Sequence, residues 1–333
     1  MGAIGLPIGY HSSRFSGSWV KRYWKSRFCP VARRVGLFAP FPEKLLHGST
    51  PIGLSGQVTG WRCRPTLQAS RRTEADDKTM RILLLADIHA NWPALSAIDE
   101  DFDVCIFLGD LVDYSTDPVP CIEWVRRNST VGVRGNHDHA LAQRVPVKKL
   151  FGLSLLASAT RSIHLQQLDR AQLKFLGRLP VTRQCEIDGR RFCLVHATPR
   201  DPLDEYLGPD RSAWAARLQG IDADFVCAGH SHQQFVLELG RTTVINPGSV
   251  GQPRDGDPRC AYAVIENGRV ELRRKAYDID ATVRQMHQSG LEPHLVELAE
   301  HILRTGGQVD TQQWERFNGG RPTRSTGFTP EGR

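Results

Sequence analysis

Short, unbroken apolar runs punctuate the middle of the chain, and each stops at a polar residue. Ile82-Leu83-Leu84-Leu85-Ala86 stops at Asp87, and Val104-Cys105-Ile106-Phe107-Leu108 stops at Gly109-Asp110. Val131-Gly132-Val133 precedes Gly135-Asn136, Phe192-Cys193-Leu194-Val195 precedes His196, and Phe225-Val226-Cys227-Ala228 precedes Gly229-His230. Runs of this length without alternation predict strands buried on both faces of a sheet. Asn91 with Pro93, and Asp117 with Pro118, predict the first turns of crossover helices between them. Leu165, Leu168, Leu173 and Leu176 are spaced as helices within an insertion over residues 140–179, and plain packing accounts for that spacing.

The pattern then changes to hairpins. Asp188-Gly189 separates Gln184-Cys185-Glu186-Ile187 from the strand that leads to His196. Asn267-Gly268 separates Ala261-Tyr262-Ala263-Val264-Ile265 from Val270-Glu271-Leu272, and both pairs are strong two-residue turn signals. Parallel strands followed by hairpins predict an α/β fold, two mixed sheets packed as a sandwich flanked by helices. Val283, Met286, Leu295, Leu298 and Ile302, interrupted by Gly290 and Pro293, predict two short helices packed on it.

The five strand ends collect the chain's metal-grade ligands in a fixed order. They are Asp87-Ile88-His89, Gly109-Asp110, Gly135-Asn136-His137-Asp138, His196 and Gly229-His230-Ser231-His232. In open α/β sheets, ligands bind beyond the carboxyl ends of the strands. A lone Gly-Asp is an ordinary turn and a lone Asp-x-His an ordinary surface loop, so the joint order carries the argument. Hydrolysis of a phosphate ester needs a nucleophilic water at neutral pH and a clamp for the charge that develops, and a pair of divalent ions supplies both. Ions that close need a shared anion, here Asp110, and mixed carboxylate and imidazole ligands suit borderline metals.

These motifs resemble the calcineurin-like metallophosphoesterases, in particular their compact bacterial and archaeal phosphodiesterase branch. The family pattern D-x-H, G-D, G-N-H-D/E, H, G-H-x-H is present in full, and Asn246-Pro247-Gly248-Ser249-Val250-Gly251 follows the last histidine pair as it does in that branch. The likeness spans residues 81–275 and departs at Ala197, where relatives commonly carry Gly. It implies the sandwich fold, with Asp87, His89 and His232 on one ion, Asn136, His196 and His230 on the other, and Asp110 between. It also implies a hydroxide held between the ions as nucleophile, His137 as the acid on the leaving oxygen, and Asp138 as the carboxylate that orients His137. Manganese is the metal expected, with iron, zinc or nickel as alternatives. Arg200 and Arg254 are candidate contacts to a phosphate oxygen, because a guanidinium matches that geometry.

Composition limits the partners. The chain has 333 residues and a net charge of +7, yet residues 1–79 hold 13 Lys/Arg against 4 Asp/Glu, net +9, which leaves 30 against 32, net −2. The catalytic region is therefore not basic, which argues against general nucleic-acid binding. Eight cysteines lie without a C-x-x-C pair, and Cys105, Cys193 and Cys227 fall in buried strands, which fits a reducing, cytoplasmic compartment. Residues 1–79 are rich in Arg, Gly, Pro and Ser, with no periodic pattern and no apolar run long enough for a membrane span. They read as a disordered, targeting or non-native extension, the last being preferred with Met80 as the true start. The expected organisation is a single catalytic domain over residues 80–277, helices over 278–305, and a disordered tail over 306–333. The function expected is hydrolysis of a phosphate mono- or diester, with a small molecule or nucleotide as partner. The alternatives are a protein-binding scaffold of the same fold, as in the retromer subunit of the superfamily, and a phosphoprotein phosphatase. No membrane partner is expected, and a homo-oligomer is left open.

Overall fold

The computed structural model describes residues 80–145 and 152–309. The expectations for residues 1–79 and for 310–333 lie outside the described residues. Ten strands and eight helices follow one another there. One sheet has the order β10 (Arg269–Lys275), β9 (Cys260–Glu266), β1 (Arg81–Leu85), β2 (Val104–Phe107), β3 (Val131–Gly132). The other has the order β4 (Thr182–Ile187), β5 (Arg190–Val195), β6 (Phe225–Cys227), β8 (Thr242–Pro247), β7 (Gln234–Leu239). Each sheet is mixed. β1 pairs parallel with β2 and β2 with β3, while β9 runs antiparallel between β1 and β10. In the second sheet β5, β6 and β8 are parallel, and β4 and β7 close the two edges antiparallel.

The central strands carry no polar face, because successive side chains point to opposite sides and both sides of each sheet are covered. Ile82, Leu84 and Ala86 turn inward to meet Ile106, Leu108, Phe192, Leu194, Phe225, Cys227, Ile245 and Ile265 between the sheets. Phe192 and Phe225, cross-strand partners, stack with ring centres 5.0 Å apart in this layer. Leu83 and Leu85 turn the other way, onto helices α1 (Trp92–Ser96) and α2 (Pro118–Asn128) through Leu95, Ile122 and Val125. Cys193, Val195, Val226 and Val244 likewise leave the second sheet outward, onto Trp214 of α6 (Arg211–Arg217). All the cysteines among the described residues are free.

Asn91 caps α1 as its sequence position predicts, its Oδ1 accepting from the Ala94 N–H at 3.2 Å. The Gly135-Asn136-His137-Asp138 segment opens the short helix α3 (Asn136–Ala142). The insertion after it forms α4 (Gly152–Gln167) and α5 (Arg170–Arg178). The two C-terminal helices are α7 (Ile279–Gln288) and α8 (Pro293–Thr305), which pack with Leu156 and Ala157 of α4 in an apolar cluster of their own. Gly306 ends α8 in the left-handed conformation, and its carbonyl accepts from the Gly256 N–H at 3.0 Å. The predicted tail therefore does not begin at residue 306, because Gly306 and Gly307 pack closely against Arg254 and Asp257. No helix among the described residues is long and apolar enough to cross a membrane.

Candidate metal centre

The predicted ligands start where their strands stop, but the strands come from both sheets: β1, β2 and β3 from one, β5 and β6 from the other. The connecting loops are fixed by main-chain hydrogen bonds. Asp87 N donates to Gly109 O at 2.9 Å, His89 N to Asp110 O at 3.0 Å, and Gly229 N to His196 O at 2.8 Å. Asp87, His89, Asp110, His230 and His232 all adopt positive φ, between 48° and 65°. That conformation costs a residue with a Cβ energy, and it persists where surrounding bonds over-determine it. Gly109, at φ 97°, is required for contact as well, since a Cβ there would lie 2.6 Å from Gly135 N and 2.8 Å from His196 Nδ1. Asn246 and Ser249 hold the remaining loops, Asn246 Nδ2 donating to Gly229 O at 2.8 Å and Ser249 Oγ to Asp87 O at 2.7 Å.

Two ligand groups result. Asp87, His89 and His232 form one, and Asp110, His196 and His230 the other, with the donor atoms of each group within 4.8 Å of one another. Asn136 Oδ1 lies 3.2 Å from His196 Nε2, which adds it to the second group. Asp110 Oδ1 accepts from the His137 N–H at 2.9 Å. Its other oxygen, Oδ2, is thereby aimed between the groups, 3.2 Å from His196 Nε2 and 3.7 Å from His89 Nε2.

Histidine tautomers follow from the second ring nitrogen. Nδ1 of His89 meets Val112 O at 2.8 Å, Nδ1 of His196 meets Leu108 O at 2.8 Å, and Nδ1 of His232 meets Gln252 O at 2.6 Å. A carbonyl only accepts, so Nδ1 carries a proton in each and Nε2 faces the site, the orientation that second-shell partners impose on metal-binding histidines. His89 Nε2 and His232 Nε2 stand 3.2 Å apart. Burial pushes the pKa of His89 down to about 3 and that of His232 well below its ordinary value, so two lone pairs confront each other at neutral pH. A cation between them relieves that repulsion, and the donor set therefore fits a metal. In the second group burial works against a charge on His196, but Asp110 and Asp87 outweigh it and raise its pKa to about 9. Positive charge is favoured there, as a proton or as a divalent ion that displaces it.

His137 sits beside both groups, its ring centre 5.1 Å from that of His89. The carboxylate that orients it is Asp113, whose Oδ2 lies 2.7 Å from His137 Nδ1. Asp138 does not take that part. Its oxygens accept from the main-chain N–H groups of Asp110 at 2.8 Å, Leu111 at 2.8 Å and Gly135 at 3.1 Å, so it clamps the loop that carries Asp110. Adjacent residues on a helix point away from each other, so Asp138 on α3 cannot reach the neighbouring ring. Burial would push the Asp113 carboxyl up, but the contacts with His137 and Arg161 outweigh it and hold it below the usual carboxylate range. Burial also works against a charge on His137, and Tyr114, Asp110 and Asp113 outweigh it to raise its pKa to about 10.

The two arginines separate. Arg200 is exposed and engaged by Glu205, which also takes Arg217 and Thr198. Arg254 lies at the site, with Cζ 5.4 Å over the Tyr114 ring, whose centre is 4.6 Å from His89 and 4.8 Å from His137. Its Nη2 donates to Gln252 Oε1 at 2.8 Å, while its buried Nε has no hydrogen-bond partner among the described residues. Asp113, Tyr114 and Arg161 were not singled out by the sequence motifs. The spacing Gly109-Asp110-x-x-Asp113 is the one signal that points to the first of them.

Comparison with known proteins places the chain in a family. The calcineurin-like phosphoesterase superfamily domain matches residues 80–268, more than half of the chain. An uncharacterized protein of Methanocaldococcus jannaschii is 30% identical over 240 residues, covering 65% of this chain and 96% of that protein. The crystal structure of a metallophosphoesterase from Sphaerobacter thermophilus is 34% identical with a TM-score of 0.56, over 68% of this chain and 99% of its own. A hypothetical protein from Pyrococcus horikoshii, 18% identical, shares the fold with a TM-score of 0.58 over 69% of this chain and 99% of its own. With both ligand groups seated at the strand ends of that fold, the chain belongs to the calcineurin-like phosphoesterase superfamily and is a metallophosphoesterase, a hydrolase of phosphoric esters.

Proposed function

We propose that the protein hydrolyses phosphate mono- or diesters at a two-metal centre, with a small-molecule or nucleotide phosphodiester favoured. The observation that carries this reading is the facing pair of Nε2 lone pairs of His89 and His232, with one oxygen of Asp110 aimed between the two ligand groups. When bound there, two divalent cations supply an activated water and a clamp for the charge that develops on phosphorus. Asp87, His89 and His232 would hold one cation and Asn136, His196 and His230 the other, with Asp110 available to both. Manganese suits this mixed set, as do iron, zinc and nickel.

His137 donates its proton to the leaving oxygen, and Asp113 keeps its ring aimed at the site. General-acid donation of this kind is worth about 10²–10⁴-fold in rate. Arg254 offers its guanidinium to a phosphate oxygen, with its Cζ 5.4 Å from the centre of the Tyr114 ring. Tyr206 supports a flat leaving group such as a nucleobase. Its ring is 41% exposed, its centre is 5.8 Å from that of His230, and its hydroxyl donates to Ser231 O at 2.9 Å, which fixes its pose. The retained His137 and the two ligand groups favour an enzyme over a protein-binding scaffold.

The test is a panel of mono- and diesters, including a nitrophenyl phosphodiester with added manganese, with metal content measured on the same sample. Metal-dependent turnover is expected, and Asp110→Asn is expected to lower metal content at both positions together with turnover. A fully metal-loaded protein inert across the panel would return the scaffold reading. Equal metal content in wild type and Asp110→Asn would refute the shared role of Asp110.

A further inference from the structure

We propose that Arg161, on the inserted helix α4, is a positioning residue for proton donation: it locks Asp113, and through Asp113 the ring of His137. The inference rests on the reading of His137 as the proton donor.

Asp113 is fully buried, and its carboxylate meets two partners, the His137 ring and the Arg161 guanidinium. Arg161 Nε lies 3.1 Å from Asp113 Oδ2 and 3.4 Å from Oδ1, and Arg161 Nη2 also donates to Oδ2. A guanidinium is a rigid planar fork, so this contact fixes the rotation of the carboxylate as well as its position. With a single partner at His137, the carboxylate would be free to turn about its last bond. With Arg161 in place, Oδ2 is held in line with His137 Nδ1 at 2.7 Å, and the opposite ring nitrogen is held toward the substrate. Arg161 is itself anchored, its side chain 12% exposed and its Nη1 donating to Val145 O at 3.3 Å.

The rest of this face of α4 serves the same loop. Thr160 Oγ1 accepts from the Tyr114 N–H at 2.9 Å. His164 Nδ1 accepts from the Asp113 N–H at 3.2 Å, and its Nε2 donates to Ser115 O at 2.9 Å. Asp113 and Tyr114 have φ values of 68° and 65°, which residues with a Cβ adopt at a cost. Three polar side chains of one helix therefore over-determine a strained loop, and only Arg161 touches the carboxylate that faces the acid. Packing of α4 on the loop would need Thr160 and His164 alone.

The experiment compares wild type, Arg161→Ala, Arg161→Lys and His137→Ala on aryl phosphodiesters that share one phosphoryl portion but leave as nitrophenolate or as phenolate. Nitrophenolate departs without a proton, whereas phenolate needs one. For His137→Ala the loss of kcat on the phenyl ester is expected to exceed that on the nitrophenyl ester by about 10²-fold or more. For Arg161→Ala the same excess is expected at roughly 10–10²-fold, the scale of a small misplacement of a catalytic group. KM and metal content should stay at wild-type values, Arg161→Lys should be intermediate, and added guanidinium should restore part of the loss.

Equal losses on both esters, or none, with His137→Ala still discriminating between them, would overturn the role of Arg161 and leave His137 as the acid. A His137→Ala protein that does not discriminate would overturn the acid reading and this inference with it. If Arg161→Ala does not fold, Arg161→Gln, which keeps a donor but not the fork, carries the same comparison.

Discussion

His164 is fully buried, and both of its ring nitrogens are in use, Nδ1 as acceptor from Asp113 N and Nε2 as donor to Ser115 O. It must therefore stay neutral, and burial lowers its pKa from 6.5 to about 4. An unfolded chain binds a proton at this histidine below about pH 6.5, while the folded one does not until about pH 4. Between these values the unfolded state binds more protons, so stability falls as pH falls through that window and is unaffected above it. The full effect at the acid end is on the order of 3 kcal/mol. His164→Gln can make both hydrogen bonds without titrating. Its melting temperature should fall less between pH 7 and pH 4.5 than that of wild type, and parallel curves would refute the assignment. At this scale the residues of the two candidate ligand groups were legible, because they stand at or just past the ends of apolar runs. Asp113 was not legible. Its partner His137 is 24 positions away, and the family resemblance implied Asp138, which the geometry of α3 turns onto the backbone instead.

Among elements, the loop after β8 meets the loop after β1 almost backbone to backbone. Gly251 N donates to Asp87 O at 2.9 Å, and a Cβ on Gly251 would lie 2.0 Å from Ile88 O. Gly251→Ala must push the β1–α1 loop aside, and with it Asp87 and His89. Overpacking of this kind costs about 1–3 kcal/mol, equivalent to a fall of roughly 2–10 °C in melting temperature for a domain of this size. Calorimetry and metal analysis of this variant should show both a lower melting temperature and a lower metal content. Wild-type metal content would show that the loop adapts. The strands that carry ligands were readable because they are buried on both faces and so appear as apolar runs. The β7–β8 hairpin gave no comparable signal, since β7 mixes Gln234 and Glu238 with its apolar residues and turns at Gly240-Arg241 rather than at an Asn-Gly or Asp-Gly pair.

For the whole molecule, the domain needs the C-terminal helices, which lie beyond the matched residues 80–268. Thr282 of α7 donates to Asn91 Oδ1 at 2.9 Å, and Asn91 Nδ2 donates to Gly251 O at 2.9 Å, so α7 reaches the metal loops through a buried amide. Met286, Leu295, Leu298 and Ile302 bury their side chains with Leu156 of α4, the helix that carries Arg161. A protein of residues 80–309 is expected to fold and turn over substrate, while one of residues 80–277 should melt well below it or aggregate. Equal melting temperatures by calorimetry would show that α7 and α8 are dispensable. The sequence by itself determined the α/β class, the strands that lead into the site and the candidate metal ligands, because burial on both faces and metal coordination each restrict residue type at single positions. Only the tertiary structure decided which sheet each strand enters, that Asp113 and not Asp138 faces His137, that Glu205 engages Arg200 while Arg254 stays at the site, and that an inserted helix braces the acid. Those outcomes depend on distances between residues far apart in the chain, and local pattern carries no information about such distances.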